Sequence, residues 1–204
     1  MPITDNFVAI NIRKYLALGN DLESGEPALI KLLSGFSCPK NLDVERFLKK
    51  SAIEFTKKNQ SVTYLVFSKD SGKMLGYFTL ALKPLTVRGK MVSNTTKKKL
   101  LRISELDIKS DTYTMAAYLI AQIGKNYAGE ENKEITGGEL IELAWTLIEK
   151  GQYMYGGMVT FLEAENEEKL LSFYHDNRFA QFDTRQTAAG AEDAHELIQL
   201  LRLL

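Results

Sequence analysis

The order of the predicted elements indicates an α/β protein with a mixed β-sheet. Three observations carry this prediction. A hairpin of β-rich residues lies within Val62–Leu82, an apolar run at Tyr113–Ile123 precedes a helix with one apolar face at Glu139–Lys150, and two β-rich runs follow near the C-terminus. We find no internal repeat and no low-complexity segment. A single domain over residues 1–204 is therefore expected.

The N-terminal quarter of the chain is predicted to contain one strand and one helix. Phe7–Leu16 is rich in strand-favouring residues, and the polar, glycine-containing stretch Gly19–Pro27 is typical of a loop. From Asn41 onward, apolar residues recur at helical spacing, and Asn41 itself is a good N-cap. This apolar face consists of Leu42, Val44, Phe47, Leu48, Ala52 and Phe55.

The clearest hairpin consists of Val62–Ser68 and Lys73–Leu82, joined by the turn residues Lys69-Asp-Ser-Gly72. After it, Lys83–Arg102 contains seven Lys or Arg residues and no acidic residue. Such a composition is typical of a solvated segment. We predict an exposed or partly mobile basic insertion at about residues 83–110.

Tyr113–Ile123 is predicted to be a strand buried on both faces, with a helix as the competing interpretation. The polar loop Gly129–Gly138 then leads into a helix over Glu139–Lys150, which Gly151 is expected to end. The apolar face of this helix consists of Leu140, Leu143, Ala144, Leu147 and Ile148.

The C-terminal quarter is predicted to alternate between strand and helix. A strand at Gly157–Ala164 precedes a helix at about Asn166–Asn177. Two β-rich runs, Phe179–Thr187 and His195–Leu203, are separated by the small-residue loop Ala188–Asp193. Together with the preceding elements, these runs complete a mixed sheet.

Composition excludes several classes of protein. Lys plus Arg and Asp plus Glu each number 26, so no overall field favours a polyanionic partner. Met1–Val8 carries no export signal and no stretch is apolar enough to span a bilayer, so a cytoplasmic protein without a membrane partner is expected. The single cysteine, Cys38, precludes an internal disulfide, and no metal site is expected.

The strongest local sign of a binding site is the strand, loop and helix of Tyr113–Lys150. This arrangement aims free backbone N–H groups and the positive end of a helix dipole at one point, which suits a pyrophosphate. Gly137 and Gly138 would let a ligand approach the backbone closely. An ordinary turn explains the same residues, and Glu139 would repel an anion, so both interpretations stay open.

A second candidate lies in Ser172-Phe-Tyr-His-Asp-Asn-Arg-Phe179, which places Tyr174 in the last turn of a predicted helix. The phenol faces either the core or a cleft above the sheet. Core packing is the commoner outcome for a tyrosine in such a position. The residue therefore becomes a candidate for chemistry only when taken together with the preceding site.

Four pieces of the chain, in this order, resemble the GNAT superfamily of acyl-CoA N-acyltransferases. They are Phe36-Ser-Cys-Pro-Lys-Asn-Leu-Asp-Val-Glu-Arg-Phe-Leu48, the strand Leu75-Gly-Tyr-Phe-Thr-Leu80, Phe161, and Ser172-Phe-Tyr174. The nearest branch is the one that includes the acetyltransferase toxins. This resemblance implies a mostly antiparallel sheet of about six to seven strands flanked by helices.

The resemblance also implies a set of acetyl-CoA contacts. Backbone groups of Ile123, Gly124 and Lys125 would meet the pantetheine arm, the pyrophosphate loop would fall on Asn132–Gly138, and Tyr174 would be the general acid. The family's Gln/Arg-x-x-Gly-x-Gly/Ala loop is represented here by Asn132-Lys-Glu-Ile-Thr-Gly137 or its one-residue shift. The further implied cofactor-binding residues are Ile135, Thr136, Gly137, Gly138, Glu139 and Asn166.

The implied activity is transfer of an acetyl group from acetyl-CoA to a primary amine by direct attack in a ternary complex, without a metal. The implied acceptor is an amine on a small molecule, peptide or protein, and a homodimer is compatible with it. Toxin-like acetylation of aminoacyl-tRNA is a less favoured alternative, and a degenerate acyl-CoA-binding domain without catalysis is another. The general base is left open among Glu105, Asp107 and Glu163.

Overall fold

The structure is a computed structural model that describes residues 5–187 and 195–204. The described chain forms two compact units, one within Met1–Ala81 and Ile120–Lys150, the other within Leu82–Leu119 and Gly151–Leu204. Two long strands, named β3 and β5 below, run from one unit into the other. The expected single domain stays a prediction.

The first unit combines a sheet with six helices. Its helices are α1 (Arg13–Leu16), α2 (Glu26–Ser34), α3 (Leu42–Lys50), α4 (Ala52–Lys57), α6 (Glu131–Glu134) and the greater part of α7 (Gly137–Tyr155). Its strands are β1 (Phe7–Asn11), β2 (Val62–Ser68), the first half of β3 (Met74–Arg88) and the second half of β5 (Thr112–Lys125), in the order β1-β2-β3-β5.

The core of the first unit lies between its sheet and helices α2 to α4. Leu65 and Tyr77 of the sheet are fully buried, and the Tyr77 hydroxyl donates a 2.6 Å hydrogen bond to the Val44 carbonyl of α3. Asn41 caps α3, because its side chain accepts hydrogen bonds from two N–H groups of the first turn. The core residues that the helices supply include Leu29, Leu33, Val44, Leu48 and Ala52.

The second unit consists mainly of strands. It contains the second half of β3, a 3-10 turn at Gly89–Met91, α5 (Asn94–Leu100), β4 (Leu106–Asp107), the first half of β5, the last turn of α7, β6 (Val159–Glu165), α8 (Glu168–Asp176), β7 (Ala180–Gln186) and β8 (Glu196–Leu203). The strand order is β3-β5-β6-β8-β7, and β4 pairs with β5. β5 and β6 are parallel, at Tyr118–Thr160 and Leu119–Phe161.

One face of the β3 and β5 segments in the second unit covers a core, and the other is open. Leu85 and Val87 are buried, whereas Thr86 between them is exposed and its hydroxyl lies 3.0 Å from that of Thr114 on β5. At the two margins of the strand order, Arg88 Nε donates to Asp183 Oδ2 at 2.7 Å, and Arg88 Nη2 donates to Oδ1. This ion pair joins β3 to β7.

The predicted fold class is confirmed: eight strands form a mixed sheet flanked by helices. The hairpin, the helix after Asn41, and the strands and helices between residues 157 and 187 also lie where they were expected. Tyr113–Ile123 is a strand and not a helix. It is not buried on both faces, because Thr114 and Ala116 are exposed. The predicted loop Ala188–Asp193 lies outside the described residues.

The predicted N-terminal strand is too long, and two helices before Asn41, α1 and α2, were missed. β1 ends at Asn11, whose side-chain oxygen accepts a hydrogen bond from the Arg13 N–H at 2.9 Å and so turns the chain into α1. α2 follows, with Pro27 in its first turn, where a missing N–H costs nothing. Its buried residues Leu29 and Leu33 lie one turn apart on one face.

The basic segment, which was predicted to be an exposed or partly mobile insertion, contains regular secondary structure. β3 continues to Arg88, with alternating exposed and buried residues, and Ser93 caps α5 by accepting a hydrogen bond from the Thr96 N–H. Leu85, Val87 and Leu100 are buried in the core of the second unit, which explains why the segment is ordered despite its charge.

The predicted helix stop at Gly151 is wrong. α7 begins at Gly137 and runs to Tyr155, before Gly156 and Gly157 with φ values of +75° and +96°. Packing explains the glycine at position 151 instead, since an added Cβ would lie 3.1 Å from Cε1 of the Tyr118 ring. A conformation with positive φ is the usual end of a helix, and Gly156 supplies it.

Candidate functional site

The end of β5 carries three predicted contact residues, Ile123, Gly124 and Lys125, all partly buried. Gly124 is required by packing: an added Cβ would lie 2.5 Å from Val44 Cγ1 of α3. Its carbonyl oxygen also lies against β3, 2.6 Å from the position of a Cβ on Gly76. The glycine is therefore explained by close approach of elements, whether or not a ligand uses its backbone.

A capping box opens α7. The Thr136 N–H donates to Glu139 Oε2 at 2.8 Å, and the Glu139 N–H donates to the Thr136 hydroxyl at 3.2 Å. The Thr136 hydroxyl also donates to Glu139 Oε2, at 2.7 Å. The capping box therefore satisfies two of the amide groups that a helix start leaves unpaired. Glu139 thus stabilises the helix start from within the chain.

The capping box leaves the next two amides of α7 available. Among the described residues, no acceptor lies within hydrogen-bonding distance of the N–H groups of Gly137 and Gly138. Both residues are partly exposed and have no side chain to cover these groups. The helix start can therefore donate two hydrogen bonds to an anion, beside the Glu139 carboxylate.

Charges around this helix start are mixed. Burial lowers the pKa of Lys125, the positive charge of Lys40 lowers it further, and the negative charge of Glu139 opposes both effects. Ile135, another predicted contact, is buried and can offer only its backbone. Lys133 in α6 forms an ion pair with Glu130, so it is already neutralised.

Tyr174, the predicted general acid, lies in the last turn of α8 and only 6% of it is exposed. Its ring meets Phe173 and Phe179, with centroid distances of 5.3 and 6.0 Å. Burial raises the pKa of its hydroxyl to about 12. No hydrogen bond ties that hydroxyl to any residue within 5–187 or 195–204, so it is a protonated donor without an internal partner.

An open groove of about 620 Å³ lies beside α8 in the second unit. Its lining includes Asn166, the predicted contact before the helix, together with Ser172 and His175 of one helix face and Phe179. Tyr174 is not among the lining residues. The structure thus places Asn166 at this groove and Tyr174 in the hydrophobic interior of the same unit.

The three candidate bases are engaged or peripheral. Glu163 on β6 accepts hydrogen bonds from Arg185 at 2.8 Å and from Gln199 at 2.9 Å. Asp107 accepts hydrogen bonds from Ser110 and from the Lys109 N–H, which hold its pKa below the usual range. Glu105 is exposed just before the short strand β4. The base remains without an assignment.

Sequence reasoning missed two features of this region. The capping box has a sequence signature, Thr136-Gly-Gly-Glu139, which was available but not used. Asn126 is buried, with 6% exposure, and holds three segments together through Ser37, Met74 and Ala128. A lone asparagine after a strand carries no signal of such a role, because its partners are distant in sequence.

Within 5–187 and 195–204, no group of three or more His, Cys, Asp or Glu side chains is arranged to hold a metal ion. No helix in these ranges has both the length and the apolar composition that crossing a bilayer requires.

Comparison with known proteins gives matches only at the level of structure. No family model matches the sequence. A search of curated protein sequences also finds no match.

Several solved structures share the fold over most of the chain. A tyrosine-to-phenylalanine mutant of KacT matches with a TM-score of 0.60 and 18% identity, over 96% of this chain and 95% of that one. AtaTR bound with acetyl-CoA matches with a TM-score of 0.56 and 15% identity, over 98% and 94%. AtaT complexed with acetyl-methionyl-tRNAfMet matches with a TM-score of 0.56 and 16% identity, over 81% and 85%.

The resemblance found in the sequence is therefore confirmed for the fold. The sheet carries one strand more than the upper number expected, and the helices flank it as expected. At these identities, the likeness establishes architecture and leaves activity to the residues of this chain. The chain has the GNAT fold of the acetyltransferase toxins AtaT and KacT.

Proposed function

We propose that this chain is an acetyl-CoA-dependent N-acetyltransferase that transfers the acetyl group to a primary amine by direct attack. The observation that carries the proposal is the likeness to AtaTR bound with acetyl-CoA, which extends over 98% of the chain. The residues of the first unit are compatible with this ligand, because Gly137 and Gly138 offer two unpaired N–H groups at the start of a 19-residue helix.

In the proposed reaction, a neutral amine attacks the thioester carbonyl carbon, and the tetrahedral intermediate expels the CoA thiolate. The amine loses a proton, and the thiolate gains one. We assign donation to the thiolate to Tyr174, whose raised pKa of about 12 keeps the hydroxyl protonated throughout the neutral range.

Binding and turnover are tested separately. Acetyl-CoA is expected to raise the melting temperature of the chain, whereas free acetate is not. Absence of any acetyl-CoA binding in calorimetry would refute the proposed function. Stabilisation without thiol release across an acceptor panel of amines, peptides and charged tRNA would instead favour an acyl-CoA-binding domain without catalysis.

The role of Tyr174 is tested by Tyr174→Phe. We expect this variant to bind acetyl-CoA as the wild type does and to lose about 100-fold in turnover, a typical contribution of general acid catalysis. Tyr153→Phe is the matched control, because Tyr153 belongs to the same unit and is 93% exposed. Equal turnover in both variants would exclude Tyr174 as the acid.

Aminoacyl-tRNA is the second candidate acceptor. AtaT, which shares the fold, has been solved with acetyl-methionyl-tRNAfMet. In this chain, Lys83–Arg102 presents exposed Lys98, Lys99 and Arg102, with Asp183 as the only described acidic partner of any Lys or Arg in that segment. A cationic surface of this kind suits a phosphate backbone.

Two predictions test aminoacyl-tRNA as the acceptor. Methionyl-tRNA in the acceptor panel should release thiol from acetyl-CoA, and its binding should weaken steeply as salt rises. Replacing Lys97, Lys98 and Lys99 with Gln should reduce that salt dependence while leaving acetyl-CoA binding unchanged. If a small amine is acetylated and charged tRNA is not, the tRNA candidate fails and the general proposal stands.

A further inference from the structure

A rigid corner of the first unit carries two lysines. It is formed where the loop before α3 meets the end of β5. The Ser37 N–H donates to Asn126 Oδ1 at 3.0 Å, the Tyr127 N–H donates to the Ser37 carbonyl at 2.7 Å, and Asn126 Nδ2 donates to the Met74 carbonyl at 2.9 Å. Because Asn126 is buried, these bonds fix the loop, β3 and β5 in one arrangement.

The two lysines are Lys40, at the end of this loop, and Lys125, immediately before Asn126. Lys40 Nζ lies 5.1 Å from the centroid of the Tyr127 ring, so the ring holds the ammonium in place. Lys125 is partly buried, and its pKa is lowered first by burial and then by the charge of Lys40. Tyr127, which holds Lys40, follows Lys125 by two residues, so the same corner of the unit carries both positive charges.

Neither ammonium is neutralised by the chain. Among residues 5–187 and 195–204, no carboxylate lies within ion-pair distance of Lys40 or Lys125. Glu139 is close enough to affect Lys125 electrostatically, but its carboxylate is engaged by Thr136 in the capping box. A pair of adjacent, unneutralised cations on a rigid support favours a multiply charged anion.

The loop before α7 offers few charges of its own to an anion. Asn132 is neutral, and Lys133 is paired with Glu130. The loop thus lacks an available cation on its own side chains. Lys125 lies beside the first turn of α7, because its Cα and Leu140 Cδ2 lie 3.3 and 3.4 Å from the position of a Cβ on Gly76, and the two unpaired amides open that turn.

We propose that Lys40 and Lys125 form a two-lysine site for the diphosphate of acetyl-CoA. The inference rests on the proposed function and adds two side chains to it, neither of which lies in the pyrophosphate loop. Lys125 binds through its side chain, in addition to any backbone contact. Tyr127 orients Lys40, and Asn126 positions both lysines without touching the ligand.

The experiment is calorimetric titration of the full chain with CoA and with dephospho-CoA, which retains the diphosphate and lacks the 3′-phosphate. Lys40→Gln and Lys125→Gln are each expected to raise the Kd about tenfold, a typical loss for a charge-assisted hydrogen bond. The same ratio is expected for both ligands. Lys125→Arg, which keeps the charge, should retain most of the affinity.

Lys31→Gln is the matched control, because it removes one exposed lysine from α2 in the same unit. It should leave the Kd unchanged, and each variant should melt at the wild-type temperature without ligand. If the losses vanish with dephospho-CoA, the anion is the 3′-phosphate and the diphosphate assignment is overturned. If Lys40→Gln and Lys125→Gln bind both ligands like the wild type, the inference fails and the proposed function stands. A wild type that binds no acetyl-CoA overturns both.

Discussion

The two units hold their strands in different ways. In the first, helices cover the sheet, and Leu29, Val44 and Leu48 pack on it with almost no exposure. In the second, the core is supplied mostly by strands, and one face of β3 and β5 stays open at Thr86 and Thr114. Ion pairs join strands there, Arg88 of β3 to Asp183 of β7 and Arg185 of β7 to Glu163 of β6.

Because of this difference, the two units should tolerate different kinds of substitution. Close packing makes the first unit sensitive to single methyl groups, because a packed interior has no spare volume. In the second unit, the Arg88–Asp183 ion pair joins two marginal strands, so its stability should respond to pH and to the loss of either partner. Four predictions, each with its control substitutions, test this contrast.

The largest effect is expected from Gly124→Ala in the first unit. Its new Cβ would lie 2.5 Å from Val44 Cγ1, so the Val44 side chain or the backbone of β5 or α3 must shift, at a cost of about 3 kcal/mol in the free energy of unfolding. Urea denaturation measures this cost. The Val44→Ala background should recover part of it, because the clashing methyl group is gone.

Gly35→Ala serves as the control for that substitution. The nearest atom to its new Cβ is 3.5 Å away, and its φ of −76° suits alanine. We expect a change within about 0.5 kcal/mol. Equal costs at Gly35 and Gly124 would show that packing does not explain Gly124.

The next effect is expected from Asn126→Ala. The substitution leaves the Ser37 N–H and the Met74 carbonyl without their partner, at a cost of about 2 kcal/mol. Asn177→Ala is the counterpart in the second unit, since Asn177 Nδ2 donates a single 2.8 Å bond to the Phe173 carbonyl. A larger loss at Asn177 than at Asn126 would contradict the proposed contrast.

A pH effect is expected from Asp183→Asn in the second unit. The Arg88 guanidinium holds the pKa of the Asp183 carboxyl below 3.8 in the folded chain. A group with a lowered folded pKa contributes stability that is present above its unfolded pKa and is lost as pH falls through the folded value. Between pH 5 and pH 2, the variant should therefore lose stability less steeply than the wild type. The difference between the two slopes of unfolding free energy against pH should correspond to at most one bound proton.

Arg88→Gln should remove the same acid sensitivity from the other side of the pair. Unfolding free energies in urea at several pH values measure both slopes. If either variant keeps the wild-type slope, Arg88 does not control the ionisation of Asp183. Acid sensitivity would then have to come from other carboxyl groups.

The smallest effect is expected at the helix caps. Thr136→Ala removes the capping box of α7 and should cost about 1 kcal/mol, whereas Thr136→Ser should cost much less. Ser93→Ala removes the corresponding cap of α5 in the second unit, which accepts a hydrogen bond from the Thr96 N–H at 3.1 Å. The loss of a cap should lower the free energy of unfolding by a similar amount in either unit. A large difference would show that one helix start is stabilised by other contacts.

The sequence predicted the elements with long periodic patterns. β2, β3, α3 and α7 were found because their apolar residues repeat over many positions, and the capping asparagine Asn41 confirmed the start of α3. α2 was missed although Pro27 and the apolar residues after it were visible. In Lys83–Arg102, the many charged residues drew attention away from a strand pattern. Leu85 and Val87 are buried and alternate with exposed residues there.

The candidate site was less predictable than the fold. Thr136, Gly137 and Gly138 follow from local sequence, because a cap and two small residues act on adjacent backbone groups. The corner at Asn126 depends on Ser37 and Met74, which lie 89 and 52 residues away. Contacts of this kind form only once the strands have paired, so no local sequence pattern predicts them.

The burial of Cys38 has a practical consequence. It is the single thiol of the chain, it lies in the core of the first unit with 4% exposure, and burial raises its pKa. Thiolate is the reactive form, so a thiol reagent is blocked twice, by access and by protonation. The rate at which Cys38 is alkylated in the native state would therefore report how often the first unit opens, and no label has to be introduced.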